Sequence, residues 1–245
     1  TFITGNVGSP TDIITLKYSS SGNLLWSRIY NGNDNRGDNS VKISVDDSGN
    51  VYVLGETISN SELGNYLTIK YTGDGDIRWI NILANGDSTV DKPYDMVTDE
   101  SSNIYITGYG YQWLKCFGDY MTVKYNRNGD LLWKKLYHGE GYFSNIGWSL
   151  SVDKLNRVIV SGRSRDKENR DITATVIYDS NGNQLNVITY DSSYVNNVRT
   201  DLDNNIYLGG YRRKNVFQNH DDIFVNKYDL NGNLEWSRLY DSPNS

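Results

Sequence analysis

What this sequence has little of narrows it first. A single cysteine, Cys116, leaves no internal disulfide in 245 residues, and His138 and His220 are the only histidines. No thiolate or imidazole cluster can therefore hold zinc, so neither a metal nor a cofactor is expected. No apolar run approaches the roughly 18 residues that a membrane helix needs, so no membrane insertion is expected. Positive charge is in deficit, 24 Lys+Arg against 30 Asp+Glu for a net charge of -6, and a nucleic-acid backbone would be repelled. The chain opens at Thr1 within a strand pattern, without methionine or signal peptide, which reads as a trimmed start.

Against 3 prolines stand 23 glycines, 20 tyrosines and 6 tryptophans, the profile of short aromatic-rich strands joined by tight turns. Self-similarity organises them. Thr15-Leu16-Lys17-Tyr18 returns as Thr68-Ile69-Lys70-Tyr71, Thr122-Val123-Lys124-Tyr125, Val176-Ile177-Tyr178 and Val225-Asn226-Lys227-Tyr228, the tyrosines lying 53, 54, 53 and 50 residues apart. Four residues after each comes a glycine (Gly22, Gly75, Gly129, Gly182, Gly232). Four further on comes a tryptophan (Trp26, Trp79, Trp133, Trp236), except at Asn186 in the fourth copy.

Two more segments recur. One ends in aspartate (Val41 to Asp46, Tyr94 to Asp99, Trp148 to Asp153, Asn196 to Asp201), and the next resembles Asn50-Val51-Tyr52-Val53-Leu54-Gly55. Each copy thus holds four period-2 segments, strands a to d, and no stretch reads as a helix. A period near 50 with four strands per copy is the layout of propeller blades.

Asp222-Ile223-Phe224-Val225-Asn226-Lys227-Tyr228-Asp229-Leu230-Asn231-Gly232-Asn233-Leu234-Glu235-Trp236, with Asp46-Asp47-Ser48-Gly49-Asn50-Val51-Tyr52-Val53-Leu54-Gly55, resembles the SBBP-type β-propeller repeat. The resemblance extends over essentially the whole chain. It implies an all-β propeller, one domain over 1–245, with five antiparallel four-stranded blades at about 1–30, 41–83, 94–137, 148–190 and 195–240. The first blade lacks its innermost strand, which leaves either an imperfectly closed five-bladed ring, the reading preferred here, or part of a longer array. The resemblance further implies an extracellular or cell-surface protein of bacteria or archaea, and no common activity.

The recurrent tryptophans read as packing between sheets and the recurrent aspartates as turn formers. Asp179 to Asn183 and Asp229 to Asn233 read as hairpin turns, because the glycine sits two places early for a calcium loop and no bidentate glutamate follows. The fourth copy, with Asn186 for tryptophan and Ile177 for lysine, is expected to be the least stable. Asp95 is read as the only off-repeat carboxylate on an inner strand, without a plausible partner for acid and base catalysis.

Antiparallel order puts the uniform a–b and c–d turns on one face. The long, dissimilar b–c and d–a connections lie on the other, where recognition is expected. Its candidate binding residues are the off-pattern aromatics Tyr109, Tyr111, Trp113, Tyr142 and Phe143, and a basic sector of Arg163, Arg165, Arg212 and Arg213 with Tyr211. No catalytic residue is assigned. The function expected is a non-enzymatic scaffold that binds a protein partner through this face, with a lectin-like glycan binder, and after it a glycosidase, as alternatives.

Overall fold

The computed structural model describes residues 1–59, 63–86, 90–112, 117–141, 143–191, 193–215 and 218–241. All regular structure among them is β, in five antiparallel sheets. The first sheet has three strands, β1 (Phe2–Val7), β2 (Asp12–Tyr18) and β3 (Leu24–Tyr30). Four four-stranded sheets follow, each ordered as in sequence. They are β4 (Asp38–Val45), β5 (Val51–Thr57), β6 (Asn65–Tyr71) and β7 (Ile77–Leu83); then β8 (Asp91–Thr98), β9 (Ile104–Gln112), β10 (Phe117–Tyr125) and β11 (Leu131–Tyr137). The last two comprise β12 (Ile146–Val152), β13 (Val158–Arg165), β14 (Asp171–Tyr178) and β15 (Gln184–Asp191), then β16 (Ser193–Thr200), β17 (Ile206–Asn215), β18 (Gln218–Tyr228) and β19 (Leu234–Tyr240).

The inner strands β4, β8, β12 and β16 lie side by side in chain order, with β1 against β4. Each sheet packs face to face on the next, so the apolar core is divided into four layers. Ile13 of the first sheet meets Val53, Leu67 and Ile69 of the second, and Tyr52 and Tyr66 of the second meet Ile106 and Val123 of the third. Tyr105 and Tyr120 meet Val160 and Val176, and Ile159 and Ile177 meet Leu208 and Phe224. A middle strand such as β6 is therefore buried along its whole length, because neighbours cover both its faces, while the outer strand β7 keeps an exposed alternation.

The fifth sheet makes no comparably extensive contact with the first among the described residues, so the five sheets form an open series and not the closed ring preferred from sequence. Ring closure needs inner strands at both ends to meet, and a repeat count carries no information on the angle between successive sheets.

Two details of the strands depart from the sequence reading. The inner strands begin earlier than the repeat implied, so that Asp38 and Asp91 open β4 and β8. Each also carries a bulge at one place, Val41, Tyr94, Trp148 and Asn196, where an extra residue is inserted against the partner strand. And two of the expected b–c loops are largely strand. β9 continues to Gln112 and β17 to Asn215, putting Tyr109, Tyr111, Tyr211 and Arg212 on extended hairpins, because alternating aromatics and arginines satisfy the ladder as well as they would a loop.

Candidate functional site

The two ends of the inner strands differ chemically. At the uniform-turn end the recurrent aspartates are saturated acceptors. Asp46 accepts from the amides of Ser48 (3.0 Å) and Asn50 (2.9 Å), from Asn50 Nδ2 (2.9 Å) and from the Tyr52 hydroxyl (3.0 Å). Tyr105 donates likewise to Asp99 (3.0 Å) and Tyr207 to Asp201 (3.1 Å). Burial acts to raise the Asp46 pKa, but the bonds from Asn50 and Tyr52 outweigh it and hold the carboxyl below its ordinary range. A cavity of about 670 Å³ opens here beside Thr98, Ser101, Asp153, Thr200 and Leu202, but its aspartates Asp99, Asp153 and Asp201 are committed to these turns.

Between the two ends runs a polar relay. Asp95 accepts from Lys42 Nζ, from the Ser149 hydroxyl (3.2 Å) and from the Leu150 amide (2.9 Å), and Ser149 Oγ in turn accepts from the Val198 amide (3.3 Å). Four inner strands are thereby tied across the centre. The hydrogen-bond partners of Asp95 thus stand in neighbouring repeats, more than 50 residues away. The signal was in the sequence, since Lys42, Asp95 and Ser149 all sit four places before the turn aspartate. Nor is Asp95 the only off-repeat carboxylate on an inner strand. Asp38 accepts from the Gly32 amide (2.7 Å) and Asp91 from the Tyr111 amide (3.1 Å), both bracing connections on the loop-rich side.

The loop-rich end gathers aromatic rings. Trp148, aimed by its bulge, stacks on Tyr194 of the next inner strand (centroids 6.2 Å, planes 28° apart), and Tyr194 stacks on Tyr211 (5.1 Å, 17°). The result is a half-buried strip of three rings across two sheets. Arg163 lies close to Tyr194 and is fixed by Asp171 (2.7 Å); Arg212 follows Tyr211 on β17 and so points to the opposite face of that sheet, towards Asp222 (3.6 Å). Sequence reasoning found Tyr211 and both arginines but missed Trp148 and Tyr194, because both stand on inner strands and Trp148 is turned to use only by a bulge.

The other candidates fall into two further groups. Tyr109 and Tyr111 stack at 6.2 Å, with the Tyr109 hydroxyl 3.3 Å from Ser144 Oγ. Phe143 is 49% exposed and carries the Arg165 guanidinium over its ring at 4.9 Å. Arg165 also borders a cavity of about 560 Å³ with Tyr137, His138, Lys167 and Arg170. The basic sector is internally neutralised: Arg165 reaches Asp171 (3.1 Å) and Arg170 reaches Asp166 (2.6 Å). Trp113, Tyr142 and the Arg213 side chain lie outside the described residues. On the same end, burial raises the pKa of Glu56, partly offset by Lys92, and burial with the nearby Glu56 charge raises that of the Tyr94 phenol.

Residues 25–61 match the family described as SBBP: Beta-propeller repeat. No curated protein matches the chain. Among solved structures, the polysaccharide lyase Uly1 superposes with a TM-score of 0.58 at 10% identity, covering 94% of this chain and 55% of that one. A PL25 ulvan lyase, bound to -[GlcA(1-4)Rha3S]-, gives 0.56 at 8% over 94% of this chain and 67% of its own. A eukaryotic initiation factor gives 0.54 at 9% over 99% and 55%. This chain thus spans little more than half the length of two of these three. At such identities the likeness is one of fold. It nevertheless overturns the expectation that the chain is not an enzyme, since polysaccharide lyases use this fold.

Proposed function

We propose that the protein recognises an acidic polysaccharide at the loop-rich end of its inner strands, along the strip Trp148, Tyr194 and Tyr211, with Arg163 meeting the anionic groups. The observation that carries this is the stacked run of three half-buried rings, their planes 28° and 17° apart, spanning two sheets. Rings of this kind offer an apolar face to a sugar ring while their polar edges stay wet, and they lose little entropy on binding. Arginines already held by carboxylates are preorganised as planar donors for uronate or sulfate. The polysaccharide lyases among its structural neighbours add support at the level of fold, and Glu56 and Tyr94 supply a carboxyl and a phenol of raised pKa on the same end.

A second reading has its own observation. Phe143, half-exposed beneath Arg165, makes an aromatic-arginine pair of the sort that anchors protein partners at the outer part of this face.

The test is calorimetric titration against uronate-containing, sulfated and neutral polysaccharides, with absorbance of unsaturated products followed in parallel. Binding to an acidic polymer that weakens about tenfold or more in Trp148→Ala and Tyr211→Ala supports the proposal. No binding across the panel, or binding indifferent to both substitutions, removes it.

A further inference from the structure

The first and last sheets each present one half of an interface that the chain builds internally. At three of the four places where two sheets meet, a lysine and a tryptophan of one grip a turn of the next. Lys17 Nζ (2.6 Å) and Trp26 Nε1 (3.1 Å) both donate to the Gly73 carbonyl, and Arg28 donates to that of Gly75 (2.7 Å). Lys70 (2.8 Å) and Trp79 (3.3 Å) share the Arg127 carbonyl; Lys124 and Trp133 share that of Ser180, both at 3.1 Å. The indole also lies on the turn glycine, so that a Cβ on Gly75 would come within 2.9 Å of the Trp26 ring.

The fifth sheet carries the donor half with nothing in it. Lys227 pairs across the strands with Trp236, and Ile223 with Tyr240, as Lys17 pairs with Trp26 and Ile13 with Tyr30. Arg238 sits 5.7 Å over the Trp236 ring, the same distance as Arg28 over Trp26. But Ile13 is fully buried, while Ile223 is 57% exposed, and Lys227 turns to Glu235 on its own sheet (2.7 Å). The first sheet carries the acceptor half, equally unfilled. Ile3 holds the place of the fully buried Val53 yet is 47% exposed, and nothing lies within 4 Å of a Cβ built on Gly22.

We infer that the fifth sheet of one chain docks on the first sheet of a second copy, head to tail, with Lys227 and Trp236 gripping the Ser20 carbonyl, Arg238 that of Gly22, and Ile223 covering Ile3 and Leu16. A second copy is the occupant because both halves belong to this chain and each matches, residue for residue, an interface the fold already makes. Such a contact is heterologous, so it propagates into rings or filaments and is not satisfied by a symmetric dimer. Left uncovered, both faces would present apolar surface of a kind that monomers seldom expose.

Sedimentation of the 245-residue chain over a wide concentration range tests this, with two variants that each cripple one end: Lys227→Glu with Trp236→Ala, and Ile3→Asp with Leu16→Asp. Far-UV circular dichroism checks their folding, and Lys227→Glu alone, on the outward face of the fifth sheet, serves if the tryptophan change disturbs it. The native chain associates with concentration; each variant alone associates at least about tenfold more weakly; their equal mixture forms a one-to-one dimer and stops there. A native chain that stays monomeric throughout, or a mixture no more associated than its components, overturns the inference.

Discussion

Arg157 gives its guanidinium to the carbonyl oxygen of Leu230, the acceptor that a lysine and a tryptophan occupy in the other sheets. Arg157 stands where the other copies have asparagine, and its Nε also holds the turn carboxylate of Asp153 (2.6 Å). Asn186, in place of the missing tryptophan, reaches one carbonyl further on, that of Asn231 (3.4 Å). The fourth sheet has thus replaced the usual grip by another, and the weakness expected there from its sequence is offset.

Arg157→Asn is accordingly expected to lower stability by about 1.5–3 kcal/mol, the range for a hydrogen bond to a charged group. Adding Ile177→Lys and Asn186→Trp restores part of the loss by rebuilding the usual grip. Urea midpoints read both. A neutral Arg157→Asn would show that the carbonyl is indifferent to its donor.

Gly129 and Gly22 share a left-handed backbone, φ of +91° and +82°, so alanine strains both alike. Only at Gly129 does the new Cβ meet an indole, 2.9 Å from the Trp79 ring. Gly129→Ala should cost about 1–3 kcal/mol more than Gly22→Ala, the usual penalty of overpacking. Measured at concentrations where the chain is monomeric, equal costs would refute the packing role of the turn.

The acid limb of stability has a definite sign. Bonds from Asn183, Asn205 and Asn233 hold Asp179, Asp201 and Asp229 below the ordinary aspartate range, as Asn50 and Tyr52 do for Asp46 against the effect of burial. A carboxyl depressed in the folded state stabilises above its unfolded pKa, about 3.9, and that contribution disappears as pH falls through the lower folded value. Urea midpoints should hold steady from neutrality to about pH 5 and fall below about pH 4. Asp179→Asn with Asp201→Asn should flatten that limb; an unchanged limb would assign the acid sensitivity elsewhere.

Asp95 is 8% exposed and Lys42 35%, so their pairing is only partly screened. Asp95→Asn strands the lysine and weakens the bonds from Ser149 and Leu150. A loss of about 1–3 kcal/mol is expected, below the value for a fully buried pair because Lys42 retains water. A double-mutant cycle with Lys42→Met reads the coupling, and a value near zero would reduce the relay to two independent contacts.

Much of the architecture was legible because a repeat is a local pattern. Tyr18, Gly22 and Trp26 recur with their spacing intact, and strand alternation and turn chemistry act over a few residues, so the five sheets and their strand order followed from the chain itself. The turn role of Asp46 was legible for the same reason, since its partners Asn50 and Tyr52 lie within six residues.

What sequence could not supply is whatever depends on the placement of one repeat against another. The relay from Lys42 through Asp95 to Ser149, the bulge that brings Trp148 onto Tyr194, and the substitution of Arg157 for a lysine-tryptophan grip all join residues about 50 or more positions apart. Whether the series closes is of the same kind, for it is fixed by the small rotation between neighbouring sheets, summed over all of them. Local preference selects each sheet; only their packing decides which side chains converge, and which faces of the first and fifth sheets are left without a neighbour.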